Sequence, residues 1–262
     1  MMKFETIIYR KTDQYAEIRF NRPHRLNAVI ETFYHEMLKA LADAEQDPDV
    51  RAVLLTGEGR AFCVGADMKE HGSGDRTLNQ RREYLNLGND VCEKIFRLQI
   101  PVVAAINGYA LGAGAEMACC CDFVLMAESA KIGFPEISIG TCVGGGVTQF
   151  LPRLVGLAKA RELIFTGIKI DGTEAARIGM ATRAVSDDAL QSEAEKFISL
   201  LAIKAPISMS MAKRLLNNAS YQSLEDQIKL EIDSVFICST TADWQEGVNA
   251  FAEKRSPQFN GC

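Results

Sequence analysis

Between Pro101 and Glu136 the chain reads as a strand, a glycine-rich turn and a short helix, and this run limits what the remainder can build. Val102–Ile106 is a continuous apolar run bounded by Pro101 and by Asn107-Gly108, which predicts a buried strand. Small residues follow at 112–115 (Gly-Ala-Gly-Ala), and then a helix-forming run from Glu116 to Cys121. A strand feeding such a turn leaves unpaired N–H groups at the helix start. With glycine and alanine around them, a ligand can come close to the backbone. A site of this kind favours negative charge, on a bound phosphate or on an oxyanion that develops during reaction.

Around this run the chain has two textures. Phe4–Tyr9 and Tyr15–Phe20 predict a hairpin with a polar turn at Lys11–Gln14. The loop Asn21–Asn27 carries two arginines, and Asn27 is placed to cap a helix over Val29–Glu45. Val50–Thr56 reads as a strand, Gly57–Gly59 as a turn, and Ala61–Asp67 as a second glycine-containing approach. His71–Arg76 reads as a loop, Leu78–Leu98 as an amphipathic helix and Phe123–Ala127 as another strand. From Val147 onward the pattern is helical, with helices expected at Val147–Leu154, Lys159–Thr166, Ala189–Leu201, Ile207–Ala219, Leu224–Ile237 and Asp243–Glu253. The natural reading is one α/β core, with a repeated strand–strand–helix unit, and a C-terminal helical extension. Apolar stripes on the late helices exceed what the core can cover, so self-association is expected.

Composition narrows the function classes. A chain of 262 residues can bury a sizeable core. Its net charge of −5 argues against nucleic acid or a membrane surface as partner. No apolar run approaches the roughly 20 residues a membrane helix needs. Met1–Arg10 alternates like a strand and lacks signal or transit character, so a cytoplasmic location is expected. The eight cysteines include the consecutive Cys119, Cys120 and Cys121 and otherwise lie scattered, so they read as buried small hydrophobes rather than a disulfide framework.

Three pieces of sequence bear on chemistry. Ala66, after a strand and turn, and Ala113, at the start of the short helix, offer backbone N–H groups that can clamp one carbonyl oxygen if the two turns abut. Small side chains there also serve close strand–helix packing, and composition alone favours that plainer role. Glu116 lies one helical turn beyond Ala113 and so can face the same space. Glu136 follows Pro135, which fixes the local backbone. Two carboxylates in an apolar pocket push their proton affinities apart, so one accepts a proton while the other donates. A solvated carboxylate is the commoner fate of a glutamate, but both lie in apolar, Gly/Pro-marked sequence where a free charge is costly. Third, Gly144-Gly145-Gly146 precedes a helix, where bare backbone holds a water or an anion, or simply turns. Rival motifs fail. Gly112-Ala-Gly114 runs on to Met117 without the third glycine of a dinucleotide fingerprint, and no Gly-Lys-Ser/Thr or G-x-S-x-G occurs. His24, His35 and His71 lack metal-ligand spacing and read as surface residues, so no metal is expected.

Taken together, Asn21-Arg-Pro, Leu26-Asn27-Ala28, Gly65-Ala66-Asp67-Met68-Lys69, Ala104 to Gly108, Gly112 to Glu116, Cys121-Asp122 and Pro135-Glu136 resemble the crotonase, or enoyl-CoA hydratase/isomerase, superfamily. The resemblance continues to Glu246-Gly247, Ala250-Phe251 and Lys254-Arg255. It implies an α/β fold, a crotonase-like spiral of ββα units at 1–200, followed by a helical trimerisation region at 201–262. It implies an acyl-CoA thioester as partner, no separate cofactor, and a homotrimer or a homohexamer built as a dimer of trimers. The oxyanion hole would be the N–H groups of Ala66 and Ala113. Glu116 would activate water, Glu136 would protonate Cα, and the Gly144 N–H would help position the water. Arg25, Leu26 and Lys69 match CoA-binding positions, and Phe251 and Lys254 match positions that reach CoA from a neighbouring subunit. Keeping both acids favours an enoyl-CoA hydratase. An isomerase, a hydratase of a cyclic or dienoyl-CoA, and an acyl-CoA-binding paralogue without turnover are the alternatives. Ala113 in place of a frequent glycine, and Ile132, Phe134, Val147 and Phe150 in place of commoner residues, bear on acyl specificity.

Overall fold

The computed structural model describes residues 3–12, 14–71 and 76–262, with the backbone alone at His71. Asp13 of the expected first turn and residues 72–75 of the expected His71–Arg76 loop lie outside the described residues. Ile7–Lys11 (β1) and Ala16–Phe20 (β2) pair antiparallel, with Ile7 opposite Phe20. Glu31–Gln46 (α1) follows and buries Phe33, Tyr34, Met37 and Leu41 on its inner face. Asn27 does not cap it. The cap position is Ile30, without a side-chain cap, and the buried Asn27 amide is committed elsewhere.

Next comes a ββα unit that recurs. Val53–Gly57 (β3) and Ala61–Cys63 (β4) lead to Met68–His71 (α2) and Leu78–Arg97 (α3). Val102–Ile106 (β5) and Tyr109–Leu111 (β6) lead to Ala113–Cys119 (α4). Phe123–Ala127 (β7) and Lys131–Gly133 (β8) lead to a 3-10 turn at Pro135–Ile139. The first strand of each unit joins one sheet and the second joins another, so the chain spirals between two sheets. Runs such as Val102–Ile106 are buried along their whole length, as parallel strands covered on both faces must be.

The remainder is helical, interrupted by two short strands: Val147–Val155 (α5), Leu157–Thr166 (α6), Lys169–Asp171 (β9), Gly172–Arg177 (α7), Arg183–Val185 (β10), Leu190–Ala202 (α8), Pro206–Asn218 (α9), Leu224–Ser239 (α10) and Ala242–Glu253 (α11). β9 and β10 correct the expectation of helix alone after Val147. Each is only three residues long, too short to show a period, and each exists because a neighbouring edge pairs with it. The large sheet runs β1-β2-β3-β5-β7-β10 and the small one β4-β6-β8-β9. Residues 200 and 201, where core and extension were expected to part, fall inside α8, which packs against β3, β5 and β7.

All eight cysteines are free. Cys63, Cys92, Cys119 and Cys120 are buried as expected, whereas Cys142 and Cys262 are exposed, since both sit on loop or terminal backbone away from the core. No helix of the described residues is long and apolar enough to cross a membrane.

Candidate active site

Three adjacent parallel strands of the small sheet, β4, β6 and β8, end on the same side and release their chains into one cavity of about 550 Å³. Beyond β4 comes Gly65-Ala66, beyond β6 come Gly112-Ala113 and Glu116, and beyond β8 come Pro135-Glu136, all of them lining it. The carboxyl ends of parallel strands are where unpaired backbone and helix starts collect.

The two turns abut. Gly65 has φ +91, and a Cβ there would lie 3.1 Å from the Leu111 carbonyl and 3.5 Å from the Ala113 nitrogen. Glycine is required at that approach. The turn is also braced from behind: Val29 N–H donates to Gly65 O (2.8 Å) and Asp67 N–H to Val29 O (2.9 Å). A parallel bridge of this kind uses the flanking groups and leaves the N–H of Ala66 itself out of it, and Ala66 lines the cavity. Ala113 is the first residue of α4, so its N–H has no acceptor within the helix. The helix start is seated closely because Gly114 has no side chain; a Cβ there would lie 2.2 Å from the carbonyl oxygen of Cys63. Both alanines line the one cavity.

Two carboxyls share it. Glu116 Oε1 accepts the Gly144 N–H at 2.6 Å. Burial pushes its pKa up to about 7; the Gly144 hydrogen bond opposes this and the charge of Glu136 adds to it. Glu136 is buried, and burial raises its pKa too. Its Oε2 meets no protein donor, while its Oε1 lies 2.9 Å from where a Cβ on Gly112 would sit. An unpaired buried carboxyl oxygen is costly unless protonated or given a ligand. With both affinities raised, the two carboxyls hold protons to higher pH than free ones do, as a pair that exchanges acid and base roles requires.

Of the residues the sequence nominated, Ala66, Ala113, Glu116, Glu136 and Gly144 therefore come together in one cavity. Gly144 meets Glu116 directly: the anion at this glycine-rich helix start is the protein's own carboxylate. Arg25 closes an exposed 3-10 turn at Pro23–Arg25, Leu26 follows it in a left-handed conformation (φ 52), and Lys69 lies in α2 beside the cavity-lining Met68. Phe251 and Lys254, at the end of α11, do not reach the cavity within this chain; Phe251 is 88% exposed. His24 and His35 are exposed, and the side chain of His71 lies outside the described residues.

Sequence reasoning missed Tyr34, Tyr84 and Asn89, which line the cavity from α1 and α3. The Tyr34 and Tyr84 rings meet edge-on at 5.6 Å, and burial raises both hydroxyl pKa values, that of Tyr84 to about 12. The signal available was helical spacing: Leu85, Gly88, Asn89 and Cys92 share one face of α3, opposite its charged positions.

The family model described as enoyl-CoA hydratase/isomerase matches residues 10–262. The chain belongs to that family. Crotonyl-CoA hydratase of Syntrophomonas wolfei is 35% identical over 98% of this chain and 99% of its own length. Short-chain-enoyl-CoA hydratase of Clostridium acetobutylicum is 34% identical over 97% of each. Among solved members of the family, the enoyl-CoA hydratase from Bacillus anthracis superposes with a TM-score of 0.95 at 34% identity, over 98% of this chain and 100% of that one. The family fold, the ββα spiral with its helical C-terminal region, is the one described above.

Proposed function

We propose that this protein is an enoyl-CoA hydratase, a hydro-lyase that adds water reversibly and syn across the α,β double bond of a 2-enoyl-CoA. One observation carries the reading: two free main-chain N–H groups and two carboxyls of raised proton affinity meet at the ends of β4, β6 and β8. The N–H groups of Ala66 and Ala113 donate to the thioester oxygen as an oxyanion hole. Because that oxygen gains charge only as Cβ is attacked, they stabilise the transition state more than the ground state. Glu116, ionised, takes a proton from the water that attacks Cβ. Glu136, protonated, gives its proton to Cα, so H and OH add in one direction and the pair exchanges its roles. Gly144 holds Glu116 in place and, through it, the water.

The CoA portion of the substrate is taken by Arg25, Leu26 and Lys69 at the mouth, with Phe251 and Lys254 supplied by a neighbouring subunit of a homotrimer or homohexamer. The names of the relatives, crotonyl-CoA hydratase and short-chain-enoyl-CoA hydratase, support the reaction type. No cofactor beyond the CoA of the substrate takes part, and a cytoplasmic location is part of the same proposal. Mixed with crotonyl-CoA, the protein consumes the absorbance of the conjugated thioester, and Glu116→Gln and Glu136→Gln each lower kcat by about 10²–10⁴-fold. Turnover that survives both substitutions would overturn the assignment. Crotonyl-CoA absorbance that holds steady, with the same absorbance rising when a 3-enoyl-CoA is supplied, would make the protein an isomerase instead.

A further inference from the structure

Asn89 on α3 reaches the loop carrying Gly144. Its Oδ1 accepts the Gly145 N–H at 2.9 Å, while Glu116 Oε1 accepts the adjacent Gly144 N–H at 2.6 Å. Two successive N–H groups of a left-handed turn are thus held by side chains from two different helices, α3 and α4. The seat is tight. Gly145 has φ +59, and a Cβ on it would lie 2.8 Å from the Cys92 sulfur and 2.9 Å from Cβ of Glu116. Cys120 Sγ donates to the Gly145 carbonyl at 3.3 Å, so both backbone polar groups of Gly145 are held. Without Asn89 the Gly145 N–H loses its only protein acceptor among the described residues, and a glycine triplet has little stiffness of its own.

We propose that Asn89 is a positioning residue for catalysis: by holding Gly145 it keeps the Gly144 N–H aimed at Glu116, which sets the proton affinity of that carboxyl and its direction toward the reacting water. This rests on the hydratase reading. In this role Asn89 acts through the loop rather than on the transferred proton. Its effect passes through one hydrogen bond, and that bond favours the ionised form of Glu116. The groups facing Glu116 from the packed elements are Glu136 on the 3-10 turn, Tyr34 on α1, Cys63 on β4, Cys92 on α3 and Cys119 on α4. None of them is a cation, so no positive charge compensates if the N–H swings away.

The test is the titration of Glu116 in the full-length protein, with and without Asn89→Leu, a substitution of similar size that removes the acceptor. Glutamate labelled with carbon-13 at Cδ reports each carboxyl by NMR, and the Glu116 signal is the one absent from Glu116→Gln. Loss of the hydrogen bond disfavours the carboxylate, so its midpoint moves up by about half to one unit. In the hydration assay kcat/KM then falls about 3- to 10-fold below the midpoint and converges on wild type in alkali, while KM changes little. A merely structural asparagine lowers Tm but leaves the titration where it was, and coincident midpoints would overturn the proposal. If the leucine variant does not fold, Asn89→Ser, whose hydroxyl is too short to reach Gly145, gives the same comparison. Because the NMR midpoint needs no substrate, failure of the hydratase reading shows itself separately, as a wild-type protein that titrates as described yet consumes no enoyl-CoA.

Discussion

A carboxyl that must be ionised to take a proton from water gains from a hydrogen-bond donor and loses from burial, and Glu116 has both. Burial dominates, lifting its pKa from 4.5 to about 7. Glu136 is raised by burial as well, with no side-chain partner to oppose it and one oxygen left bare. The active microstate is Glu116 ionised with Glu136 protonated. As pH rises through about 7, Glu116 enters that state, and Glu136 leaves it as its own carboxyl ionises. The profile of kcat/KM is therefore bell-shaped, with one limb near pH 7. Glu116→Gln removes that limb together with most of the activity, and Glu136→Gln removes the other. A flat profile from pH 5 to about 8 would separate the chemistry from these two groups. The same shift bears on stability. A carboxyl whose folded pKa is raised stabilises the fold while protonated, and that contribution is lost as pH climbs from the unfolded value through the folded one.

The loop Asn21–Asn27 shows where local rules and tertiary structure part. In the sequence Asn27 stands where a helix cap stands, yet in the structure it takes φ 57 and its amide faces the other way. Its Nδ2 donates to Glu58 O (3.0 Å) and Ala61 O (2.7 Å), and its Oδ1 accepts the Arg22 N–H (2.8 Å). Arg22 in turn meets Asp67 at 3.2 Å. Burial alone would raise the Asp67 carboxyl, but the Lys69 N–H and Arg22 hold it below the usual range. The loop thus clamps β4 and the Gly65–Asp67 turn from behind. A cap would tolerate aspartate, whereas a donor to two carbonyls cannot be replaced by one. Asn27→Asp and Asn27→Ala are both expected to cost about 2 kcal/mol in denaturant unfolding and to lower kcat through the Ala66 N–H. An aspartate variant as stable as wild type would restore the cap. Strands and helices with a clear period, such as Val102–Ile106 and Leu78–Arg97, were legible from the letters, as was the set Ala66, Ala113, Glu116 and Glu136. Three-residue strands such as β9 and β10 were not, because pairing rather than composition makes them. Asn89 was hidden for a related reason: its partner is a backbone N–H 56 residues away.

At the scale of the whole molecule the helical extension is fastened to the core by a buried charge. Lys213 on α9 gives Nζ to Asp122 Oδ2 (2.7 Å) and to the Ile100 carbonyl (3.1 Å), and Asp122 accepts the Val102 N–H at the head of β5. Beyond that staple α10 and α11 present apolar side chains to solvent: Ile232, Val235 and Phe236 on one helix are 62%, 69% and 69% exposed, and Trp244 and Phe251 on the next are 56% and 88% exposed. A face this apolar is the mark of an interface. We propose that copies of the chain bury it between them, which accounts for its composition and for Phe251 and Lys254 lying outside their own cavity. The proposed trimer therefore makes two measurements move together. Val235→Asp combined with Phe236→Glu places charge on the exposed face and spares every cavity residue. Sedimentation velocity should then read single chains where wild type reads three or six. KM for an acyl-CoA should rise by about tenfold or more, since a neighbour's Phe251 and Lys254 no longer reach CoA, while the Glu116 midpoint stays put. Dissociation with an unchanged KM would confine the CoA site to one chain, and a wild-type monomer would remove the assembly altogether.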